Sequence, residues 1–187
     1  MATLFVITGP SGAGKDSVIQ AVAQAGQPFN GIITTTSRSL RKGEEQNKSY
    51  HFISRPEFQQ KIDSGEMVEW AEVYGNLYGS TKQEVDQALT QDGPVIVKVD
   101  PQGARTFKKL YPEAVAIFVM PPSFEFLEKR LINRATDKPE IIKKRLELAK
   151  KELQNLLDWD FLVVNDEGKL QDAAQEVVDI MQLKLKK

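Results

Sequence analysis

Apolar residues along this chain alternate between continuous short runs and helical spacing. Leu4-Phe5-Val6-Ile7 is unbroken, which predicts a buried strand over residues 3–8. Residues 15–25 carry helical spacing until Gly26 and Pro28 stop it. Residues 29–36 hold Ile32, Ile33, Thr34, Thr35 and Thr36, a β-branched run that predicts a strand. A polar loop covers 37–49. Tyr50-His51-Phe52-Ile53 alternates as a short strand, and Pro56 to Ser64 reads as a short helix ended by Gly65. Met67 to Tyr74 is a strand that turns at Gly75-Asn76 and returns through Leu77-Tyr78-Gly79. Ser80-Thr81 followed by Gln83-Glu84 looks like a capping box opening a helix to about Gln91.

Strands are then predicted at 94–99, 114–120 and 160–164, and helices at 101–111, 123–134, 140–157 and 169–185. Phe124, Leu127 and Leu131 share one face of the helix at 123–134, and residues 135–139 break it. Five strands alternating with helices imply an α/β fold with a parallel sheet covered on both faces. Residues 34–80 interrupt that alternation as a small mixed β insertion. The expected organisation is one domain over 1–187, with a core at 1–33 and 81–187.

Composition narrows the function. The chain is 41% hydrophobic and 27% charged, ordinary for a globular protein, and its net charge of −1 argues against a nucleic-acid partner. No cysteine is present, which excludes disulfides and thiolate catalysis. His51 is the only histidine, so neither a His-rich metal site nor a Ser-His-Asp triad is expected. No leader pattern and no membrane-spanning apolar run is seen, so no membrane association is expected and cytoplasm is the expected location.

The stretch Gly9-Pro10-Ser11-Gly12-Ala13-Gly14-Lys15 lies between the first strand and the first helix. Strand, G-x-x-x-x-G-K loop and helix together predict a phosphate-binding P-loop. The glycines let backbone N–H groups turn inward, the helix N-terminus adds partial positive charge, and Lys15 adds a full one. The matching guest is the β/γ end of a nucleoside triphosphate. The next residue is normally a hydroxyl that ligates Mg²⁺; here it is Asp16, with Ser17 one place later.

A second group of motifs lies in the insertion. Thr35-Thr36-Ser37-Arg38-Ser39-Leu40-Arg41-Lys42-Gly43-Glu44, Ser49-Tyr50-His51-Phe52, Glu69-Trp70-Ala71-Glu72 and Gly75-Asn76-Leu77-Tyr78-Gly79-Ser80 together resemble the GMP-binding region of guanylate kinases. The resemblance continues through Asp100-Pro101-Gln102-Gly103, Pro121-Pro122-Ser123, Arg130 to Arg134 and Val164-Asn165-Asp166. It implies a P-loop kinase with a GMP-binding insertion and a helical lid over about 130–145. It also implies ATP and GMP as substrates, Mg²⁺ with the ATP, and a monomer or homodimer.

The resemblance assigns roles to particular residues. Arg38, Arg41, Tyr50 and Tyr78 would hold the GMP phosphate. Glu69 would accept from guanine N1–H and N2–H₂, Thr34 and Ser80 would meet the O6 edge, and Asp100 would lie near the base. The loop from Gly9 to Ser17 would hold ATP, with Asn165 near the adenine. Lys15, Arg38, Arg130, Arg134 and Arg145 would stabilise the charge in transit. Read from composition alone, the arginines of the last helices could equally form a solvated basic face.

Three positions depart from the family. Asp16 replaces the Mg²⁺-ligating hydroxyl, Lys98 replaces the first acid of an Asp-x-Asp pair that ends at Asp100, and Leu40 replaces a proline. Asp16 could take over the metal role while Lys98 balances it or touches phosphate. Alternatively an Asp16–Lys98 pair could plug the metal site. Gly-Lys-Asp-Ser also resembles the ribose bisphosphate phosphokinases, which leaves ribose 1,5-bisphosphate open as an acceptor. A non-catalytic module that binds phospho-ligands is the third reading.

Overall fold

The computed structural model describes residues 2–41, 43–73, 75–133 and 139–186. The elements are β1 (Thr3–Thr8), α1 (Lys15–Gln24), β2 (Asn30–Ile32), β3 (Thr35–Thr36), β4 (His51–Phe52), α2 (Arg55–Asp63), β5 (Met67–Val73) and β6 (Asn76–Thr81). They continue with α3 (Lys82–Leu89), β7 (Pro94–Lys98), α4 (Pro101–Leu110), β8 (Val115–Met120), α5 (Phe124–Asn133), α6 (Pro139–Glu152), β9 (Phe161–Val164) and α7 (Leu170–Leu185). A parallel sheet has the order β2-β7-β1-β8-β9. A second, mixed sheet has the order β4-β3-β6-β5.

The chain forms two compact units, Met1–Val6 with Phe29–Ala114, and Ile7–Pro28 with Val115–Lys187. The first unit contains the mixed sheet. Its α2 begins at a complete capping box: Ser54 Oγ accepts from Glu57 N–H while the Glu57 carboxylate accepts from Ser54 N–H. Phe58 of this helix packs on Met67 and Leu77, with Ile53 and Ile62 at the edge of the cluster. In the second unit α1 and α7 pack together. They bury Val18, Ala21 and Val22 on one side and Ala173, Ala174, Val177, Val178, Ile180 and Met181 on the other. Leu127 and Leu131 of α5 meet Ala149 of α6, confirming the apolar face read from the sequence.

A β-bulge decides which side chains face the site. Without it Met67 and Glu69 would share a face of β5, because side chains alternate with period two. The register shifts between them, so Met67 stands opposite Thr81 and Glu69 opposite Ser80. Met67 thereby joins the core beneath the sheet. Glu69, Ala71, Ser80 and Tyr78 then line the opposite face.

Several boundaries differ from expectation. The strand predicted over 29–36 is two strands: Asn30–Ile32 pairs in parallel with β7, and Thr35–Thr36 pairs with β4 and β6. The β-branched run serves both sheets in turn. The helix expected from Ser80 starts at Lys82, because Ser80 is still held in β6 by Glu69 and Thr81 is the cap, its Oγ1 accepting from Glu84 N–H. The Glu84 carboxylate does not close the box; it meets His51 Nε2 at 2.9 Å. Val73 pairs with Asn76, so the hairpin turns one residue early, with Gly75 at φ 80°. The helix predicted to Leu157 ends at Glu152, and Leu156–Asp158 forms a single 3₁₀ turn. Lys42, Tyr74, Arg134 and the break at 135–138 lie outside the described residues. Among the described residues no helix is long and apolar enough to cross a membrane.

Candidate active site

The second unit carries the glycine-rich loop. The loop from Gly9 to Lys15 leaves β1 and enters α1 with Gly14 as its N-cap, at φ 89° and without a side-chain cap. The first N–H groups of α1 therefore remain available to an anion. Gly9 holds φ 137° against β8, where a Cβ would run into the Val119 carbonyl oxygen. A Cβ on Gly14 would run into the Asn165 amide. Lys15 folds back over the loop, donating to the carbonyls of Gly9 at 2.6 Å and Pro10 at 3.1 Å. Ala13 N–H donates to Pro10 O at 3.2 Å, closing the turn.

Three long side chains brace this loop from behind. Asn165 Nδ2 donates to Ala13 O at 2.8 Å, and Asn165 is 4% exposed. Arg130 donates to Ala13 O at 3.3 Å and to Asn165 O at 3.0 Å, with its guanidinium 4.6 Å from the Phe126 ring. Burial lowers the Arg130 pKa, opposed by Glu167 and Asp166. Arg145 is buried and donates to Ser11 Oγ at 3.3 Å. It is therefore no solvated face, although its neighbours Lys143 and Lys144 are exposed. Asn165, expected near the adenine, holds the loop through its bond to Ala13 O. Asp16 and Ser17 are exposed in the first turn of α1.

Among the described residues no cluster of three or more acidic or histidine side chains could cage a metal. Magnesium does not need one, since it keeps several waters and takes one or two carboxylates beside substrate phosphates. An Asp16 carboxylate exposed beside the loop fits that donor set.

The first unit builds a different site on the mixed sheet. Glu69 is 6% exposed, and Ser80 Oγ donates to its Oε1 at 2.8 Å. Burial, assisted by the nearby Asp100 charge, pushes the Glu69 pKa up to about 8 against the Ser80 hydrogen bonds. Asp100 caps α4, accepting from Gly103 N–H at 2.8 Å. Thr34 is buried at the junction of β2 and β3, its carbonyl accepting from His51 N–H at 3.0 Å.

Along the same sheet Arg38 is 9% exposed and makes a bidentate pair with Glu44, at 2.8 and 2.9 Å. Burial opposes charge on both partners. The hydrogen bond between them reverses this, raising the Arg38 pKa and, with the Arg41 N–H, lowering that of Glu44. Arg38 Nε is buried without a hydrogen-bond partner, a donor of the kind that a ligand satisfies. Arg41 places its N–H on Glu44 at 2.8 Å. Tyr50 and Tyr78 meet edge to face at 6.1 Å, and the Arg38 guanidinium lies 5.5 Å from the Tyr50 ring. Lys98, at the end of β7, places its ammonium 4.4 Å from the same ring.

The structure thus assembles Thr34, Arg38, Arg41, Tyr50, Glu69, Tyr78, Ser80 and Asp100 within one unit, and Gly9 to Ser17, Arg130, Arg145 and Asn165 within the other. Two features escaped the sequence reading: Glu44 as the partner that orients Arg38, and Gly103. A glycine in the first turn of a capped helix is costly, and that cost was the available signal of a close approach.

Comparison with known proteins agrees with this geometry. The guanylate kinase family profile matches residues 1–184. A guanylate kinase of Nitrosospira multiformis is 41% identical over 180 residues, spanning 96% of this chain and 85% of that protein. One of Carboxydothermus hydrogenoformans is 44% identical over 164 residues, spanning 88% and 80%. The crystal structure of guanylate kinase from Anaplasma phagocytophilum superimposes with a TM-score of 0.77 at 27% identity, covering 98% of this chain and 86% of that one.

Proposed function

Since the chain belongs to the guanylate kinase family, we infer that it transfers the γ-phosphoryl group of ATP to GMP, giving ADP and GDP. It is a nucleoside monophosphate kinase. The observation that best supports guanine as the acceptor base is the buried Glu69 carboxyl held by Ser80. Ionised, it accepts a pair of hydrogen bonds from guanine N1–H and N2–H₂. Adenine offers no such pair, so its binding would leave a buried carboxylate unpaired, at a cost of about 1–3 kcal/mol or more.

The reaction needs positioning and electrostatics rather than a covalent intermediate. Arg38, oriented by Glu44, grips the acceptor phosphate with Arg41, Tyr50 and Tyr78. Lys15 leaves its carbonyl partners for the β/γ oxygens of ATP. Arg130 and Arg145 keep the loop in shape and set positive charge beside it, where the transferring group becomes most anionic. Asp16 would be the protein ligand of the magnesium bound with ATP, which would supply charge neutralisation for the triphosphate. The division into a core, an acceptor insertion over 34–80 and a lid over 130–145 belongs to this reading, with Arg134 as a lid residue. We place the enzyme in the cytoplasm, as a monomer or homodimer.

An ADP-release assay with ATP, Mg²⁺ and a panel of GMP, AMP, UMP and ribose 1,5-bisphosphate tests the reading. Turnover should require GMP. Turnover with the sugar bisphosphate alone would overturn it, as would none with any acceptor.

A further inference from the structure

Lys98 is a family departure that the structure places against the acceptor site. It ends β7, and ligands of parallel sheets bind beyond the carboxyl ends of their strands. Its ammonium lies 4.4 Å from the Tyr50 ring, on which the Arg38 guanidinium also converges at 5.5 Å. Tyr78 adjoins that ring at 6.1 Å. An anion entering beside the phenol groups meets the Lys98 ammonium as well as the Arg38 guanidinium, whose own partner is Glu44 at 2.8 Å. An ammonium is a compact point charge with three donors, suited to a phosphate oxygen, and the ring face limits where it can swing.

We propose that Lys98 is a phosphate ligand of the acceptor nucleotide, beyond the arginine and tyrosine grip, at a position where this family carries an acid. The proposal rests on the reading of the mixed-sheet site as the GMP pocket. It also gives the acid-to-lysine exchange a purpose on the acceptor side. Lys98 would partly neutralise the GMP phosphate, which must receive a second anionic group.

Calorimetry of GMP and of guanosine, without ATP, separates the base from the phosphate. The variants K98M and K98Q should lose about ten- to a hundred-fold in GMP affinity, the range for a hydrogen bond to a charged group. Their guanosine affinity should equal that of the parent, which also shows that the pocket is folded. K98R should recover part of the loss. Unchanged GMP affinity in K98M would overturn the proposal, and so would equal losses for GMP and guanosine, which would make Lys98 a scaffold residue. If the unaltered protein binds neither ligand, the GMP reading fails first, and that outcome is visible before any variant is made.

Discussion

The Cβ that Gly103 lacks would stand 2.6 Å from Oε2 of Glu69 and 3.1 Å from its Cδ. Helix α4 therefore approaches the mixed sheet at the place where the Glu69 carboxyl sits. In an ordinary helix Gly→Ala stabilises by about 1 kcal/mol. G103A should gain none of that, because Glu69 is buried and held by Ser80 and cannot swing aside without losing that bond. GMP affinity should fall by about tenfold or more while ATP affinity holds, as fluorescence or calorimetric titration would show.

Glu69 also makes a pH prediction. Its folded pKa, about 8, lies above the reference of 4.5, so the folded state holds a proton that the unfolded chain releases. Stability associated with this group is fully present below about 4.5 and declines as pH rises towards 8. E69Q removes the penalty, so its thermal midpoint at pH 8 should exceed that of the parent. Guanosine binding needs the ionised carboxylate, so its affinity in the parent should climb between pH 6 and pH 8, up to about tenfold per unit. Guanosine rather than GMP keeps the ligand's phosphate out of the titration. A flat profile in the parent would contradict the assignment, and E69Q should bind guanosine weakly at every pH.

The brace beneath the phosphate loop gives a third expectation. N165D keeps the shape of the side chain but turns a donor towards the Ala13 carbonyl into an acceptor. The loss should be about 1–3 kcal/mol of stability, with KM for ATP raised and GMP affinity unchanged. Urea unfolding and initial rates at varied ATP would measure both.

Glu44 is the fourth. With Arg38 and Glu44 at 9% and 22% exposure, the pair is shielded enough to matter. E44Q weakens the bidentate grip that fixes the guanidinium, so KM for GMP should rise several-fold with KM for ATP unaffected. R38K, which loses the fork altogether, should be worse than E44Q.

Much of this was legible in the sequence because it follows local rules. The phosphate loop announces itself through glycine spacing and flanking hydrophobic runs. The helices α4, α5 and α7 lie close to the stretches read from the sequence. The misreadings arise where a distant partner decides. The run at 29–36 divides because β7 and β6 recruit its two ends into different sheets. Ser80 stays in a strand because Glu69 holds it. The bond from Asn165 to Ala13 overturns no expectation, but it too was out of reach, since the two residues lie 152 apart. The bulge between Met67 and Glu69 was equally invisible: alternation alone would have sent both side chains to the same face.

The most direct measurement follows the phosphate itself. ATP labelled at the γ-phosphate is mixed with Mg²⁺ and GMP, and the nucleotides are separated. The account predicts label in the β position of GDP, one equivalent for each ADP formed, and no transfer to AMP. Label released only as inorganic phosphate, or GMP bound without any GDP formed, would contradict it.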